Sequence, residues 1–386
     1  MPRSSPESVR GRTLGASAQA ASRRPRLSLV PRPRLRIADV AMFYGERSGG
    51  IRTYLDEKAR HAAATGAFEH HLIVPGRAER HTDSRHELAS LRLASSNGYR
   101  APLGVRSLRT TLRRIAPDVV LVHDPYWGTP GASDLVAETG ARVVAVHHSS
   151  SALHAARLPG PDGLYLSVFR AWFRHAYRNV DAVMSVVDTL AEAGRAADLP
   201  LRFGLNPAFT PRAAARRREH VLCVGRLSRE KGVSRLLEAA ALERWPLRFA
   251  GTGPLERGIR LRAGRLGIGD RVSILPYVSE PARLARLYAE ASCVVMAGEH
   301  ETFGLVALEA AASGAAVVAC ETAPSAGLLG GRADLFAPGD TGGLVQAIRR
   351  ARRRVPDPAA AERLAERFSW RRAFEAELAD LERLAA

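Results

Sequence analysis

The stretch HVLCVGRLSREKGVSRLLEAAA, residues 220–241, begins with a short apolar run, continues through a glycine-bounded loop and ends in a helical pattern. The run VLCV has the length and β-branched content of a buried strand. The apolar residues after the loop recur at the spacing of a helix face: Val233, Leu236, Leu237 and Ala240. A buried strand, a loop and a helix form the repeating unit of a parallel sheet, so this stretch predicts an α/β protein.

The same unit recurs along the chain in two series. The first contains RIADVAMF, HHLIVPG, DVVLVHD, RVVAVHH and DAVMSVV, and the second contains HVLCVGR, LRFAGTG, RVSILPYV, SCVVMAG and AAVVAC. A connector containing Pro and Arg separates them near residues 200–215. We predict two Rossmann-like, doubly wound parallel-sheet domains facing each other across a cleft, at residues 35–203 and 204–367. A closing amphipathic helix at residues 368–386 is expected to pack back toward the first domain.

The net charge is +18, of which +7 comes from eight arginines and one glutamate in residues 1–34, so that 18 minus 7, or +11, remains elsewhere. Residues 1–34 lack periodicity, which predicts a disordered basic tail, and they lack the apolar segment of a signal peptide. No apolar run of about 18 residues occurs, so we expect a cytoplasmic protein. The charge favours anionic partners, including an anionic membrane surface on the inner face, although a biased genome explains arginine excess equally well.

The three cysteines are Cys223, Cys293 and Cys320, and each lies in a short apolar run. None has a second cysteine or a histidine at metal-ligand spacing. We therefore predict buried free thiols and no metal site.

Of the 57 lysines and arginines in the chain, only Lys58 and Lys231 are lysines. Gly225, Arg226 and Lys231 lie between the strand and the helix of the opening stretch. Their loop offers a guanidinium, an ammonium and a helix N-terminus to one point, which suits a diphosphate. Lysine is a compact point charge, whereas arginine presents a planar fork, so a narrow phosphate site accounts for the lysine. A solvated loop charge is the alternative, and the loop alone does not decide between them.

The stretch GEHETFGLVALEAAASG, residues 298–314, places Glu301 and Glu309 eight residues apart. Glu309 lies within an otherwise apolar helix pattern, where an unpaired carboxylate is costly to bury, so a polyol or cation partner is expected unless it faces solvent. The amides of Phe303, Gly304 and Leu305 open that helix and supply a second anion-binding terminus.

Histidines and glycines follow several other predicted strands. His147 and His148 end one strand and His123 ends another, which places all three at one edge of the first sheet. A structural role is more common for a single histidine at such a place. Two glycine pairs also follow strands and permit close approach of a ligand to the backbone: Gly49 with Gly50, and Gly251 with Gly253.

Taken together, these stretches resemble the retaining GT-B glycosyltransferases of the group-1 class, similar to glycosyltransferase family 4, over about residues 36–386. The most specific parts are ETFGLVALE followed by AAASGAAVVA, and GRLSREKG. GTGPLE, SGGIRTYL and FSWRRAFEAEL agree in order and spacing. The connector LRFGLNPAF matches the family only loosely, and no Asp-x-Asp motif follows a strand.

The resemblance implies roles for the second half of the chain. Arg226 and Lys231 would neutralise the diphosphate of a nucleotide sugar, Glu309 would bind ribose hydroxyls, and Glu301 would hold hydroxyls of the donor sugar. Three groups of backbone positions would complete the donor site. Tyr277 and Val278 would contact the nucleobase, and Phe303, Gly304 and Leu305 would contact the sugar and phosphate. Gly225, Gly251 and Gly253 would contribute from the glycine loops.

In the first half, the resemblance implies that Gly49 and Gly50 approach the diphosphate. It also implies that His148, or its neighbour His147, lies near the anomeric carbon, with His147 and His123 as acceptor-side candidates. The expected activity is metal-independent, retaining transfer of a hexose from a UDP- or GDP-linked donor, with no cofactor. The expected acceptor is a glycan or glycolipid, as a lipid or polysaccharide precursor of the cell envelope.

Two other functions fit parts of the sequence. A sugar-nucleotide epimerase on the same fold would act on the donor without an acceptor. A basic membrane- or nucleic-acid-binding protein would use the net charge, but aromatic residues are only 6% of the chain and the tail has none, so no nucleic acid is expected as a partner.

Overall fold

The structure is a computed structural model that describes residues 34–45, 49–93, 98–129, 132, 139–148, 151–155, 162–186, 189–190, 194–212, 218–299, 301 and 303–386. Residues 1–33 of the predicted tail lie outside this part of the chain. The described residues form two sheets of mainly parallel strands with helices between the strands, which confirms the predicted α/β class.

The first sheet is built from near-continuous apolar runs, such as VVLV at Val119–Val122, whose four residues are all buried. Its strands are β1 (Arg36–Val40), β2 (Glu69–Gly76), β3 (Arg80–His81), β4 (Arg85–Arg92), β5 (Arg100–Pro102), β6 (Val119–Val122), β7 (Arg142–His147), β8 (Ala182–Ser185) and β11 (Leu199–Pro200). The strands β9 (Thr189–Leu190) and β10 (Arg195–Ala196) lie between β8 and β11 in the sequence and form a separate two-stranded ribbon. The order is β11-β8-β7-β6-β1-β2-β4-β3, and β5 pairs with β4. Among the described strands of this sheet, β3 and β5 are antiparallel to their neighbours and the others are parallel.

Four described helices accompany the first sheet, namely α1 (Gly50–Thr65), α2 (Arg106–Ile115), α3 (Ser151–Ala155) and α4 (Asp162–Ala176). Helix α1 ends at Gly66, whose φ of 59° lies in the left-handed region where glycine meets no Cβ penalty. The chain order reverses between β1 and β6, and α1 follows β1 directly. Ligands of doubly wound sheets bind beyond the carboxyl ends of the strands at such a reversal.

The second sheet contains only parallel strands, and their order, β14-β13-β12-β15-β16-β17, is that of a Rossmann fold. The strands are β12 (Val221–Val224), β13 (Leu247–Ala250), β14 (Val272–Leu275), β15 (Cys293–Met296), β16 (Val317–Cys320) and β17 (Ala333–Phe336). The helices are α5 (Val233–Ala241), α6 (Glu256–Arg265), α7 (Pro281–Glu290), α8 (Leu305–Ala312), α9 (Pro324–Leu329) and α10 (Thr341–Arg353), with 3-10 turns at Arg229–Lys231 and Gly269–Arg271. All three cysteines are free and buried here, as predicted.

The chain ends in α11 (Pro358–Arg367) and α12 (Trp370–Ala385), and each helix begins with a side-chain cap, from Asp357 and Ser369 respectively. Helix α12 contacts α1 of the first half. Its residues Trp370 and Phe374 stack on each other, and both rings pack against Tyr54 of α1. The apolar face of α12 is therefore buried against the first half, although the chain has already passed through the second.

Candidate functional site

A cleft of about 910 Å³ lies at the carboxyl ends of the central strands and is lined by residues of both halves. From the first half it is lined by Gly49, Gly50, His123 and His148, and from the second by Gly225, Arg226, Lys231, Tyr277, Val278, Glu301, Phe303, Gly304, Leu305 and Glu309. Its size suits a small-molecule ligand. Most residues that the sequence singled out therefore lie on one surface.

Lys231 lies at the end of the 3-10 turn that follows β12, and its ammonium donates to both carboxylate oxygens of Glu301, at 2.9 and 2.7 Å. Gly232 ends the turn with φ of 67°, and a Cβ there would lie 2.1 Å from the carbonyl oxygen of Ala297. Only glycine lets the Lys231 loop pack this closely against the chain after β15. Because β12 and β15 are neighbours, this contact brings Lys231 and Glu301 together.

Arg226 supplies a second cation to the same wall of the cleft. Its Nε is buried and has no hydrogen-bond partner among the described residues. A buried guanidinium nitrogen without an acceptor is costly, so an anionic ligand in the cleft would relieve that cost. This observation favours a phosphate near Arg226.

Gly304 precedes α8 with φ of 84°, and a Cβ there would lie 2.3 Å from Ser325 Oγ. The positive φ lets the chain turn from Phe303, whose ring centroid lies 4.4 Å from that of Phe203, directly into the helix. The first amides of α8 have no partner within the helix and lie at its positive end. The helix N-terminus therefore meets the cleft beside Lys231 and Glu301.

Glu309 lies one turn further along α8 and also lines the cleft. Its carboxylate accepts a hydrogen bond of 2.9 Å from the Tyr288 hydroxyl. Burial raises the pKa of Glu309 to about 7, and the hydrogen bond from Tyr288 opposes that rise. The apolar surroundings thus leave a carboxyl group that titrates near neutral pH on the cleft wall. Tyr288 was not singled out from the sequence, since nothing in LARLYAE distinguishes it from a core tyrosine.

The three histidines at the strand ends separate into two environments. His123 and His148 line the cleft, and their rings are stacked with a 2.7 Å contact between His123 Nδ1 and His148 Nε2. His147 is buried behind them, where its Nδ1 lies 3.1 Å from the Tyr177 hydroxyl and burial lowers its pKa to about 4. Of the two adjacent histidines, His148 is the one that reaches the cleft.

The two glycine pairs also differ. Gly49 has open space where a side chain would begin, and Gly50 lies against Leu305 across the cleft. Gly251 and Gly253, by contrast, are not among the residues that line the cleft. A Cβ on either would meet the backbone of the loop after β12, at 2.0 Å from Gly225 O and 2.3 Å from Leu227 O. Gly251 and Gly253 thus have a packing role against the Lys231 loop, and their direct contact with a ligand stays a prediction.

Sequence reasoning missed a buried charged cluster behind His123. Lys58 of α1 lies 2.9 Å from Asp39 of β1 and 2.8 Å from Glu377 of α12, and all three side chains are at most 2% exposed. The Tyr54 hydroxyl donates to Glu377. Two features of the sequence pointed to the cluster: Lys58 is the only other lysine, and Asp39 interrupts the apolar run RIADVAMF.

The described residues also bear on other kinds of site. They contain no group of three or more His, Cys, Asp or Glu side chains placed to hold a metal ion. No helix among them is both long and apolar enough to cross a membrane.

Solved structures show the same fold. Sucrose-phosphate synthase from Thermosynechococcus elongatus superposes with a TM-score of 0.73 at 21% identity, covering 91% of this chain and 98% of that one. The Anabaena protein HepE in complex with UDP and glucose superposes with a TM-score of 0.68 at 18% identity, covering 90% and 100%. Two Rossmann-like domains about a cleft define the GT-B class, and the predicted GT-B fold is confirmed.

The family follows from the sequence comparisons. The model of Glycosyltransferase Family 4 matches residues 48–202, and that of Glycosyl transferases group 1 matches residues 209–353. The GDP-mannose-dependent alpha-(1-6)-phosphatidylinositol dimannoside mannosyltransferase of Mycobacterium tuberculosis strain H37Ra is 31% identical over 385 residues, covering 90% of this chain and 96% of the relative. A GDP-mannose-dependent alpha-mannosyltransferase of M. tuberculosis strain CDC 1551 is 29% identical, covering 84% and 87%. The chain belongs to the group-1 glycosyltransferases and is a nucleotide-sugar glycosyltransferase.

Proposed function

We propose that this protein is a retaining, metal-independent hexosyltransferase that moves a hexose from a GDP- or UDP-linked donor to a lipid or polysaccharide precursor of the cell envelope. The observation that carries the proposal is the Lys231–Glu301 ion pair on the cleft wall, beside Arg226 and the N-terminus of α8. GDP-mannose is the donor to test first, because both mycobacterial relatives reported above are named as GDP-mannose-dependent.

The cations of the second half account for departure of the nucleotide diphosphate. Negative charge grows on that group as the bond to the anomeric carbon breaks. Lys231, Arg226 and the first residues of α8 all line the cleft, which supports their role in meeting this charge. Preorganised donors of this kind stabilise a transition state by about 3 to 4 kcal/mol each. Such a set of donors performs the task that a divalent ion performs in other transferases.

Glu301 has two tasks in this arrangement. Its two oxygens hold the Lys231 ammonium in place, and each oxygen has a further lone pair that accepts a hydrogen bond from a sugar hydroxyl. Glu301 therefore links the phosphate site to the hexose. Glu309, one turn into α8, would accept from ribose hydroxyls, and more strongly in its ionised form.

Retention requires the acceptor hydroxyl to approach on the face from which the diphosphate leaves. The leaving diphosphate can accept the proton of that hydroxyl, so a second carboxylate at glycosidase spacing is not needed. On the acceptor side the cleft is lined by aromatic rings, with Phe43 edge-on to both Tyr99 and Tyr126. Flat apolar surfaces of this kind suit the C–H faces of a sugar or cyclitol ring.

A surface of the first half supports the proposed contact with an anionic membrane. Leu91 and Leu103, near the pairing of β4 with β5, are 62% and 71% exposed. Helix α2, which packs beside β4, carries exposed arginines at Arg106, Arg113 and Arg114. Exposed apolar side chains next to cations are typical of proteins that lie on anionic lipid. Co-sedimentation with phosphatidylglycerol vesicles at low salt tests this part, and equal sedimentation of a Leu91→Ser/Leu103→Ser variant would contradict it.

The transfer proposal is tested with purified protein, GDP-mannose or UDP-glucose, a membrane-lipid extract as acceptor, and EDTA throughout. We expect a glycosylated lipid from one donor only, with the anomeric configuration of the donor preserved in the product's NMR coupling constants. An inverted product would refute retention, and activity that EDTA abolishes would refute metal independence. Conversion of the donor without any acceptor would instead support an epimerase.

Arg235→Ala is a matched control for Lys231→Ala. Arg235 lies in the first turn of α5, directly after the Lys231 turn, and pairs with Glu299 at 2.5 Å as Lys231 pairs with Glu301, but it does not line the cleft. Lys231→Ala should abolish transfer and Arg235→Ala should retain it. Equal activity of the two variants would refute the phosphate role of Lys231.

A further inference from the structure

We propose that Asp39, acting through His123, fixes the proton of His148 on Nε2 and so presents His148 Nδ1 to the cleft as a hydrogen-bond acceptor. Asp39 and His123 are then positioning residues for His148, and Lys58 keeps Asp39 ionised. The catalytic use of this arrangement rests on the proposed function, but the proton arrangement itself does not.

The contacts form one continuous chain from the core to the cleft. Asp39 Oδ1 lies 2.7 Å from His123 Nε2, and His123 Nδ1 lies 2.7 Å from His148 Nε2. The second oxygen of Asp39 lies 2.7 Å from His70 Nε2 and 2.9 Å from Lys58 Nζ. His148 Nδ1 has no hydrogen-bond partner among the described residues, and His148 lines the cleft.

Asp39 is an anion despite its complete burial. Burial alone would raise its pKa, but the charge of Lys58 and the hydrogen bonds from His123 and His70 hold the pKa well below its usual value. Burial likewise would lower the pKa of Lys58, and the charges of Asp39 and Glu377 reverse that effect. An ionised carboxylate only accepts hydrogen bonds, so His123 Nε2 must carry a proton.

The proton on His123 Nε2 determines the direction of the hydrogen bond between His123 and His148. With a single proton on the His123 ring, Nδ1 is unprotonated and accepts from His148 Nε2–H. Burial lowers the pKa of His148 well below its usual value, so His148 is neutral. Its Nδ1 is therefore an acceptor, able to receive a hydrogen bond from a donor-sugar hydroxyl and unable to donate one to the leaving oxygen.

One substitution should reverse the direction of the hydrogen bonds that run from Asp39 through His123 to His148. In Asp39→Asn the amide oxygen should face Lys58 and His70, which are donors, and the amide NH₂ should face His123. His123 Nε2 then becomes an acceptor, His123 Nδ1–H donates, and the His148 proton moves to Nδ1. Hydrogen bonds of this kind are known to select the tautomer of a catalytic imidazole.

The test is a long-range ¹H–¹⁵N NMR spectrum of the full chain labelled with [¹⁵N]histidine, recorded at pH 7.5 without substrate. The chain has 12 histidines, so the His148 signals are identified by their loss in His148→Gln. We expect His148 in the Nε2–H form in the wild type and the Nδ1–H form in Asp39→Asn. A wild-type His148 that is charged, or protonated on Nδ1, would overturn the proposal, as would an unchanged tautomer in a folded Asp39→Asn.

His70→Gln is the matched control, since His70 contacts the same carboxylate but does not lead to the cleft. Its His148 signals should match the wild type. If Asp39→Asn does not fold, His123→Phe serves instead: it keeps the ring packing and removes the acceptor, so His148 should lose its single tautomer, and retention of a pure Nε2–H form would refute the role of His123.

A kinetic measurement separates this proposal from the proposed function. Asp39→Asn should lower kcat/KM by on the order of 100-fold or more, while the Kd for free GDP stays unchanged, because the nucleotide is bound by the other half. Unaltered kcat/KM would contradict the positioning role. Absence of GDP binding in the wild type would refute the proposed donor and leave the NMR result standing.

Discussion

Replacement of Lys58 by Met should be among the most destabilising single changes in this chain. The side chain is 1% exposed and lies 2.9 Å from Asp39 and 2.8 Å from Glu377, so its removal leaves two buried carboxylates without their cation. Breaking one buried ion pair by removing a partner costs about 3 to 5 kcal/mol. We expect a loss of about 4 kcal/mol in the free energy of unfolding, measured by equilibrium urea denaturation followed by tryptophan fluorescence.

The comparison variant is Arg371→Met on α12, whose ion pair with Glu375 is largely exposed. That change should alter the free energy of unfolding by no more than about 0.5 kcal/mol. Glu377→Gln combined with Lys58→Met should cost less than the sum of the two single changes, because the double variant no longer buries a lone charge at residue 377. A Lys58→Met protein as stable as Arg371→Met would refute the reasoning that the cluster joins α12 to the first half.

Three further predictions concern titrating and ligand-binding groups. Glu301→Gln should reduce discrimination among donor sugars more than affinity for the free nucleotide, as competition assays with several sugar nucleotides would reveal; unchanged selectivity would remove Glu301 from the hexose site. Because the pKa of Glu309 is raised to about 7, it gains charge as the pH rises from 6 to 8, so GDP affinity measured by calorimetry should increase over that interval and Glu309→Gln should flatten the profile. His147 and His220 have pKa values lowered to about 4, so the unfolded chain binds more protons between pH 6.5 and 4, and the free energy of unfolding should fall on acidification through that window. Each histidine accounts for about 3 kcal/mol, at 1.36 kcal/mol per pKa unit, and His220→Gln should show a shallower decline; a flat profile for the wild type would show that these rings are not held neutral.

The sequence was sufficient for the fold and for the second half of the cleft, because both depend on local patterns. Lys231 and Glu301 each follow a strand, and since β12 and β15 pair in the Rossmann order, the two loops had to meet. The sequence does not show which residues of the two loops face each other, so the contact between the Lys231 ammonium and the Glu301 carboxylate could not be predicted. Gly251 and Gly253 illustrate the limit, since a glycine after a strand has the same appearance whether it approaches a ligand or a neighbouring loop.

The first half was less predictable because its site depends on contacts between distant parts of the chain. Tyr54 and Glu377 are 323 positions apart, and no periodicity in either segment relates them. The choice between His147 and His148 is set by the end of β7 at His147, which a run such as RVVAVHH does not show. The scarcity of lysine was the informative feature, since both lysines prove to be paired with carboxylates at positions central to the architecture.

Recognition of a nucleotide-sugar diphosphate by Lys231 can be measured by thermal unfolding of the wild type, Lys231→Ala and Arg235→Ala with GDP, UDP and ADP in EDTA. A ligand at 100 times its Kd stabilises the folded state by about 2.7 kcal/mol. If Lys231 recognises the diphosphate, one nucleotide diphosphate, GDP first, should raise Tm in the wild type and in Arg235→Ala but not in Lys231→Ala. Equal stabilisation of all three proteins, or none by any nucleotide diphosphate in the wild type, would contradict it.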